Sequence, residues 1–260
     1  MGRPWNTWSS STGNHRLEQE LWRGDWMKIE ERERACLELL RQIPQRYVLV
    51  GGYAVSAFEF PRFSVDLDLV IAEKDFEEIE TILKEQGFSK AKEAGEFALT
   101  YKGRFVSFRR KVQTLPVTVD LLVDMLQCRQ TDAAYSFRYL LRNSEKRVVV
   151  GFGAKASVEA RVADREMLMA LKMNSLRPAD RRDIIALCSG KVDTAKVAKH
   201  LNKAPEAAIR MNIENLLAFI ENPKSRDSLK GVFVFSNGML ESLLRRTKET
   251  IEEIGRKTYL

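Results

Sequence analysis

The chain has 260 residues, 44% of them hydrophobic, a formal net charge of +7 and only two histidines, His15 and His200. That length suits one large domain or two small ones, with enough apolar content for a packed core and no run long enough to span a membrane. The three cysteines, Cys36, Cys128 and Cys188, are scattered and match neither a disulfide framework nor a zinc site, and with two histidines neither a histidine-built metal centre nor serine–histidine catalysis finds support.

Residues 1–26 carry Trp5, Trp8 and Trp22 without a clear period and read as an arm. No apolar stretch follows Met1-Gly2-Arg3, so a cytoplasmic location is expected. Met27 to Gln42 reads as a helix with an apolar stripe through Ile29, Ala35, Leu37, Leu39 and Leu40. Tyr47-Val48-Leu49-Val50 is a short strand-forming run that ends in Gly51-Gly52, and Tyr53 to Phe60 reads as a short helix. Glycines at a strand-to-helix turn allow close backbone approach, and a helix start after them favours anions.

Val65 to Val70 then alternates strictly between apolar and polar residues, the pattern of a strand with one buried face. Asp66 and Asp68 fall on the same face. Asp is depleted in strands and like charges side by side repel, so the arrangement makes sense with a cation between the carboxylates; the alternative is a solvated face that uses Asp twice.

Lys74 to Gln86 reads as a helix closed by Gly87. Phe97–Tyr101 and Arg104–Phe108, joined by Lys102-Gly103, read as a hairpin that continues into Arg109-Arg110-Lys111. Basic residues interleaved with aromatics suit RNA or single-stranded DNA, while the same charge also protects a sheet edge. Pro116 to Val123 reads as a strand carrying Asp120. Thr131–Arg142 reads as a helix and Lys146–Gly151 as a strand. From Arg161 the pattern is helical: Arg161–Leu176, Ala179–Ser189, Asp193–Leu201, Pro205–Glu221 and Asn237–Arg256, with Lys230–Phe235 an apolar run of undetermined type.

The expected fold is α+β. An arm over 1–26 precedes a domain over 27–151 with a small mixed β-sheet flanked by helices. A helical bundle over 152–260 follows, with the boundary near Gly151-Phe152-Gly153.

Gly51-Gly52-x-Ala54 followed by Arg62-x-Ser64-x-Asp66-x-Asp68 resembles the signature of the polymerase-β-like nucleotidyltransferase superfamily. Within it the chain is most similar to the AbiEii-type family, the toxin side of many prokaryotic toxin–antitoxin pairs. The resemblance runs from about Arg46 to Leu187. It implies a third carboxylate on a neighbouring strand, for which Asp120 is the candidate. It also implies a later lysine, matched by Lys172 in Glu166–Lys172, and an Asp-x-x-Asp-x-x-x-Leu helix, matched by Asp180 to Leu187.

The chemistry implied is transfer of a nucleoside monophosphate from an NTP, with two Mg²⁺ or Mn²⁺ ions about 3.5–4 Å apart holding the attacking and leaving oxygens. Asp66 and Asp68 would hold both ions. Asp120 would hold the ion nearest the acceptor hydroxyl and help deprotonate it. Gly51 and Gly52 would approach the nucleotide, and Lys172 would meet the triphosphate as a point charge, unless it is an ordinary solvated helix lysine. Arg62 and Ser64 reach phosphates or are solvated turn residues. Asp180 and Asp183 share a helical face; Asp180 is partly a cap, and Asp183 orients Lys172 or touches the nucleotide.

No motif specifies the base, and ATP is one of the NTPs to consider. The basic balance favours an RNA or protein acceptor over a small molecule; the resemblance implies a tRNA 3′ end as a specific acceptor and a cognate antitoxin as partner, and no membrane partner is expected. The alternatives are transfer to a small hydroxylated molecule such as an aminoglycoside, or a nucleic-acid-binding module without turnover.

Overall fold

The computed structural model describes residues 29–58, 62–64, 66–94, 103–230 and 237–259. The expected arm over 1–26, the first arm of the expected hairpin (Phe97–Tyr101) and residues 231–235 lie outside these residues.

Helix α1, residues 29–42, buries Cys36, Leu37, Leu39 and Leu40. Strand β1 (Tyr47–Val50) is buried throughout and runs straight into α2 (Gly51–Ser56). The helix thus begins at the glycines rather than after them. Strand β2 (Asp66–Ile71) follows, and a 3-10 turn (Glu73–Asp75) leads into α3 (Phe76–Glu85), whose Phe76, Ile79 and Leu83 face the core. Gly87, with φ +77°, turns the chain into β3 (Ser89–Ala94). β4 (Arg104–Val112) and β5 (Leu115–Val123) form a hairpin.

The main sheet has seven strands in the order β3-β4-β5-β2-β1-β9-β8, where β8 is Ser144–Val150 and β9 is Ser157–Ala163. β2 runs parallel to β5 and β1 parallel to β9; the other neighbours are antiparallel. The sheet is therefore mixed, as expected. On β5, Val117, Val119, Leu121 and Val123 are buried and alternate with partly exposed Thr118, Asp120 and Leu122. Period two places the apolar set in the core and leaves Asp120 on the other face.

Four expectations are corrected. β4 is not an edge strand, since it lies between β3 and β5. The edge on that side is β3, Ser-Lys-Ala-Lys-Glu-Ala, whose exposed lysines guard against edge pairing. Thr131–Arg142 is not one helix: β6 (Met125–Cys128) and β7 (Ala133–Ser136) form a separate two-stranded sheet, and α4 spans only Phe137–Arg142, with the Ser136 hydroxyl accepting from Tyr139 N as its cap.

The helical stretch does not begin at Arg161 either. β9 continues to Ala163, and Asp164 caps α5 (Arg165–Ser175) by accepting from Met167 N. Gly151-Phe152-Gly153 is consequently the turn of the β8–β9 hairpin, and both its arms belong to the sheet. The carboxylate of buried Glu33 on α1 pins this turn, accepting from the backbone N–H groups of Phe152, Gly153 and Ala154 at 2.7–2.8 Å.

Helices complete the chain: α6 (Pro178–Leu187), α7 (Thr194–Leu201), α8 (Glu206–Glu221), α9 (Lys224–Lys230) and α10 (Asn237–Lys257). The buried stripe of α10, Leu240, Leu243, Leu244, Ile251 and Ile254, packs it against α7 and α8.

Candidate active site

The register between β2 and β5 sets Asp68 beside Asp120, with Asp66 one position up the same face. Three carboxylates thus share one patch of sheet. Burial pushes the Asp68 carboxyl up to about 7; Asp120 and Asp66 add to the rise, while Lys172 and Arg177 oppose it. Burial and Asp66 also raise Asp120, against Ser107, Arg109 and Lys92, which pull it down. Asp120 Oδ1 is buried without a hydrogen-bond partner.

The patch fits a hard divalent cation: its donors are oxygen only, one of them is orphaned, and Asp68 and Asp120 resist ionisation until positive charge arrives. Among the described residues no three such side chains already converge as a closed ligand set, so rotation of the Asp side chains would accompany binding.

Gly51 makes this patch accessible. It sits at φ +71°, and a Cβ there would overlap Asp68 Oδ2 and lie 2.8 Å from Asp68 Cγ. A Cβ on Gly52 would meet Ser64 Oγ at 2.7 Å and the Arg62 guanidinium at 3.0 Å. Gly51 is required by close packing against Asp68 on β2 and Gly52 by close packing against the turn that precedes that strand. The Tyr53 hydroxyl fastens that turn by donating to Ser64 O at 2.6 Å, and Ser56 Oγ accepts from Arg62 N at 3.2 Å.

Arg62 does not point to solvent. Its guanidinium grips the fully buried Asp183 with two bonds, 2.7 and 3.0 Å, tying the turn to α6. Lys172, 5% exposed, lies between Asp180 at 3.0 Å and Asp183 at 2.8 Å. Asp180 also accepts from Ser175 Oγ at 2.5 Å, Arg177 N at 3.0 Å and Arg177 Nε at 2.8 Å. Burial works against ionisation of Asp180, but Lys172, Arg177 and Ser175 overcome it and hold the carboxyl at about 2. Neither aspartate faces the sheet patch as a free ligand. Both are committed to holding three cations, and Lys172 is a buried, fully paired lysine rather than a solvated one.

Beside Asp68 lies a cavity of about 350 Å³. Gly51, Lys172, Ser175 and Arg177 line one side; Phe105, Leu122 and Leu126 give an apolar wall; Gln127 and Gln130 are at the β6–β7 end. Phe105 and Leu122 are register partners one step beyond Ser107 and Asp120. The cavity therefore opens on the same sheet face as the carboxylates. The opposite direction along that face carries Arg109, opposite Thr118, and Lys111, opposite Pro116, with Lys92 opposite Ser107. All three cations are exposed and make no ion pair among the described residues. Arg110 alternates to the other face, where it lies over the Phe88 ring at 5.0 Å and donates to Gln86 O. Phe108 is fully buried and offers no stacking surface.

All ten residues singled out in the sequence belong to this region, from Gly51 and Gly52 through Arg62, Ser64, Asp66, Asp68 and Asp120 to Lys172, Asp180 and Asp183. Sequence reasoning missed Arg177 and the cavity wall of Leu122, Leu126 and Gln127. The signal for Arg177 is present locally: it precedes Pro178, and its backbone N–H donates to the Asp180 carboxylate three residues on, one half of a capping box.

Residues 39–247 match the model of a family described as nucleotidyl transferase AbiEii toxin, type IV toxin–antitoxin system. Two solved structures are similar. One is a candidate nucleotidyltransferase from H. pylori, 15% identical, TM-score 0.41, with 92% of this chain and 96% of that chain covered. The other is JHP933 from Helicobacter pylori, 16% identical, TM-score 0.40, covering 90% and 93%. No curated protein matches the chain.

Proposed function

The chain belongs to the AbiEii nucleotidyl transferase toxin family, and from that premise we propose that it transfers a nucleoside monophosphate from an NTP to a hydroxyl on RNA, with a tRNA 3′ end the foremost acceptor. The observation that carries the reading is Asp68 beside Asp120, one position from Asp66, at the mouth of a cavity with a cationic side and an apolar wall.

Mg²⁺ or Mn²⁺ held by Asp66, Asp68 and Asp120 would supply charge neutralisation for the triphosphate and a more acidic acceptor hydroxyl. The chain's own residues do the rest. Phe105, Leu122 and Leu126 give the base an apolar surface, with Gln127 and Gln130 placed to read its edge. Arg177, its side chain 64% exposed, meets the phosphates. Lys172 is a positioning residue: with Arg62 and Arg177 it sets three cations against Asp180 and Asp183, leaving one net positive charge behind Asp68. The acceptor oxygen bonds to the α-phosphorus as the bond to the β-phosphate oxygen breaks, and pyrophosphate leaves. Asp120 Oδ1, orphaned and raised in proton affinity, is placed to take the hydroxyl proton.

Lys92, Arg109 and Lys111 support a polyanionic acceptor. They line the carboxylate face on the side away from the cavity, where an acceptor would enter. Family membership adds a cognate antitoxin as a partner. Incubation with each α-labelled NTP, Mg²⁺, total RNA and an aminoglycoside tests the reading: label in RNA supports it, label in the small-molecule fraction moves the acceptor to that class, and RNA binding without incorporation leaves a module without turnover.

A further inference from the structure

A second cavity, of about 460 Å³, lies behind the β6–β7 hairpin and is lined by Tyr139, Arg142, Asn143, Lys196, Lys199 and His200. It belongs to the end of α4 and to α7, and none of its residues takes part in the site described above. Its charge is one-sided. Lys196 is held by Asp164 at 2.6 Å and Glu166 at 3.6 Å. Arg142 and Lys199 have no ion-pair partner among the described residues, and Lys203 stands 4.5 Å over the Tyr139 ring.

His200 is the informative member. It is 2% exposed, its Nδ1 lies 2.7 Å from the Tyr139 hydroxyl, and its Nε2 is buried with no hydrogen-bond partner. In the tautomer in which the Tyr139 hydroxyl donates to Nδ1, Nε2 carries the imidazole proton. The cavity beside it is lined by Arg142, Lys196 and Lys199, an environment that suits an anion.

We propose that this cavity binds a phosphate group, with Arg142, Lys199 and Asn143 as its donors and the His200 imidazole in its wall. Phosphate suits the site because it accepts from several directions at once, and the cavity has room for a sugar attached to it. Burial, reinforced by Lys196, Lys199 and Lys203 and opposed by Glu166, holds the His200 imidazole at about 4, so it is neutral at pH 7. The cavity also backs onto the nucleotide side: the Tyr135 hydroxyl donates to His200 O at 2.9 Å and accepts from Asn174, which in turn accepts from Thr131 in the β6–β7 turn, next to Gln130.

The chain has two histidines, so a His15→Gln protein carries a single imidazole, readable by NMR after labelling. Inorganic phosphate, pyrophosphate and a short single-stranded RNA lacking terminal phosphates are titrated in turn, with sodium acetate at matched ionic strength as control. A saturable shift of the His200 signal with phosphate or pyrophosphate supports a site for a free phosphate species. A shift with the RNA alone supports a site for a backbone phosphodiester. In either case an Arg142→Glu, Lys199→Glu protein, unchanged in circular dichroism, should bind at least about tenfold more weakly. No shift with any phosphate, an equal shift with acetate, or an unaltered titration in the double variant overturns the proposal. The experiment involves no turnover and works in an Asp68→Asn background, so it stands apart from the nucleotidyl-transfer reading.

Discussion

Gly51 and Asp68 occupy one another's space: a single methyl group on the glycine would overlap the aspartate's Oδ2. The left-handed backbone at Gly51, φ +71°, adds a cost of about 1–2 kcal/mol for any other residue. Gly51→Ala should therefore displace Asp68 and lower kcat by roughly 100-fold, the scale expected for a misplacement near 1 Å. Steady-state kinetics on a folded variant checks this. A rate within twofold of wild type would mean that Asp68 is not held in its working place by this contact.

Lys172 is buried between two carboxylates, so its removal has a different consequence from removal of a solvated lysine. Lys172→Met leaves Asp180 and Asp183 short of a cation and should cost about 3–5 kcal/mol in urea unfolding. A head group in water would cost under about 0.5 kcal/mol. The smaller figure would return Lys172 to a direct role at the triphosphate or to none.

The raised Asp68 carboxyl predicts a pH signature. Unfolded, it releases its proton near 3.8; folded, it keeps it until about 7. The folded state binds more protons across that window, so stability falls as pH rises through it. Asp180 behaves oppositely: its folded carboxyl is held at about 2, and its contribution is present above about 4 and lost below. In EDTA, Asp68→Asn should melt higher than wild type at pH 8, with the gap closing towards pH 4. Adding Mg²⁺ should raise the wild-type Tm more than that of the variant.

Strand parity separates Arg109 from Arg110. Lys92→Glu, Arg109→Glu, Lys111→Glu should weaken RNA binding and flatten its salt dependence, each lost phosphate contact lowering the log–log slope by about 0.7–0.9. Arg110→Glu, on the other face over Phe88, should lower stability and leave the slope alone. Affinity measured across four salt concentrations decides; equal slopes for wild type and the triple variant would remove the acceptor ledge.

The carboxylate strands and the double glycine were legible because their signals are local: period-two alternation around Asp66, Asp68 and Asp120, and a turn that only glycine fits. β3 was not, because an edge strand exposed along Ser89–Glu93 buries no apolar face that could give it a period. Nor was the β6–β7 hairpin, whose alternation is short and runs into a helix start at Ser136. The state of Lys172 was beyond sequence, since its burial depends on how α6 packs against α5. The split between Arg109 and Arg110 follows from parity but needs the register with Asp120 to become meaningful.

The central claim is that Asp66, Asp68 and Asp120 perform nucleotidyl transfer. The most direct measurement is incorporation of α-labelled NTP into RNA by wild type and Asp68→Asn, both shown to be folded by circular dichroism, with and without Mg²⁺. The account predicts Mg²⁺-dependent labelling by wild type and a loss of at least about 1,000-fold, some 4 kcal/mol of barrier, in the variant. Labelling by Asp68→Asn within about tenfold of wild type would contradict it.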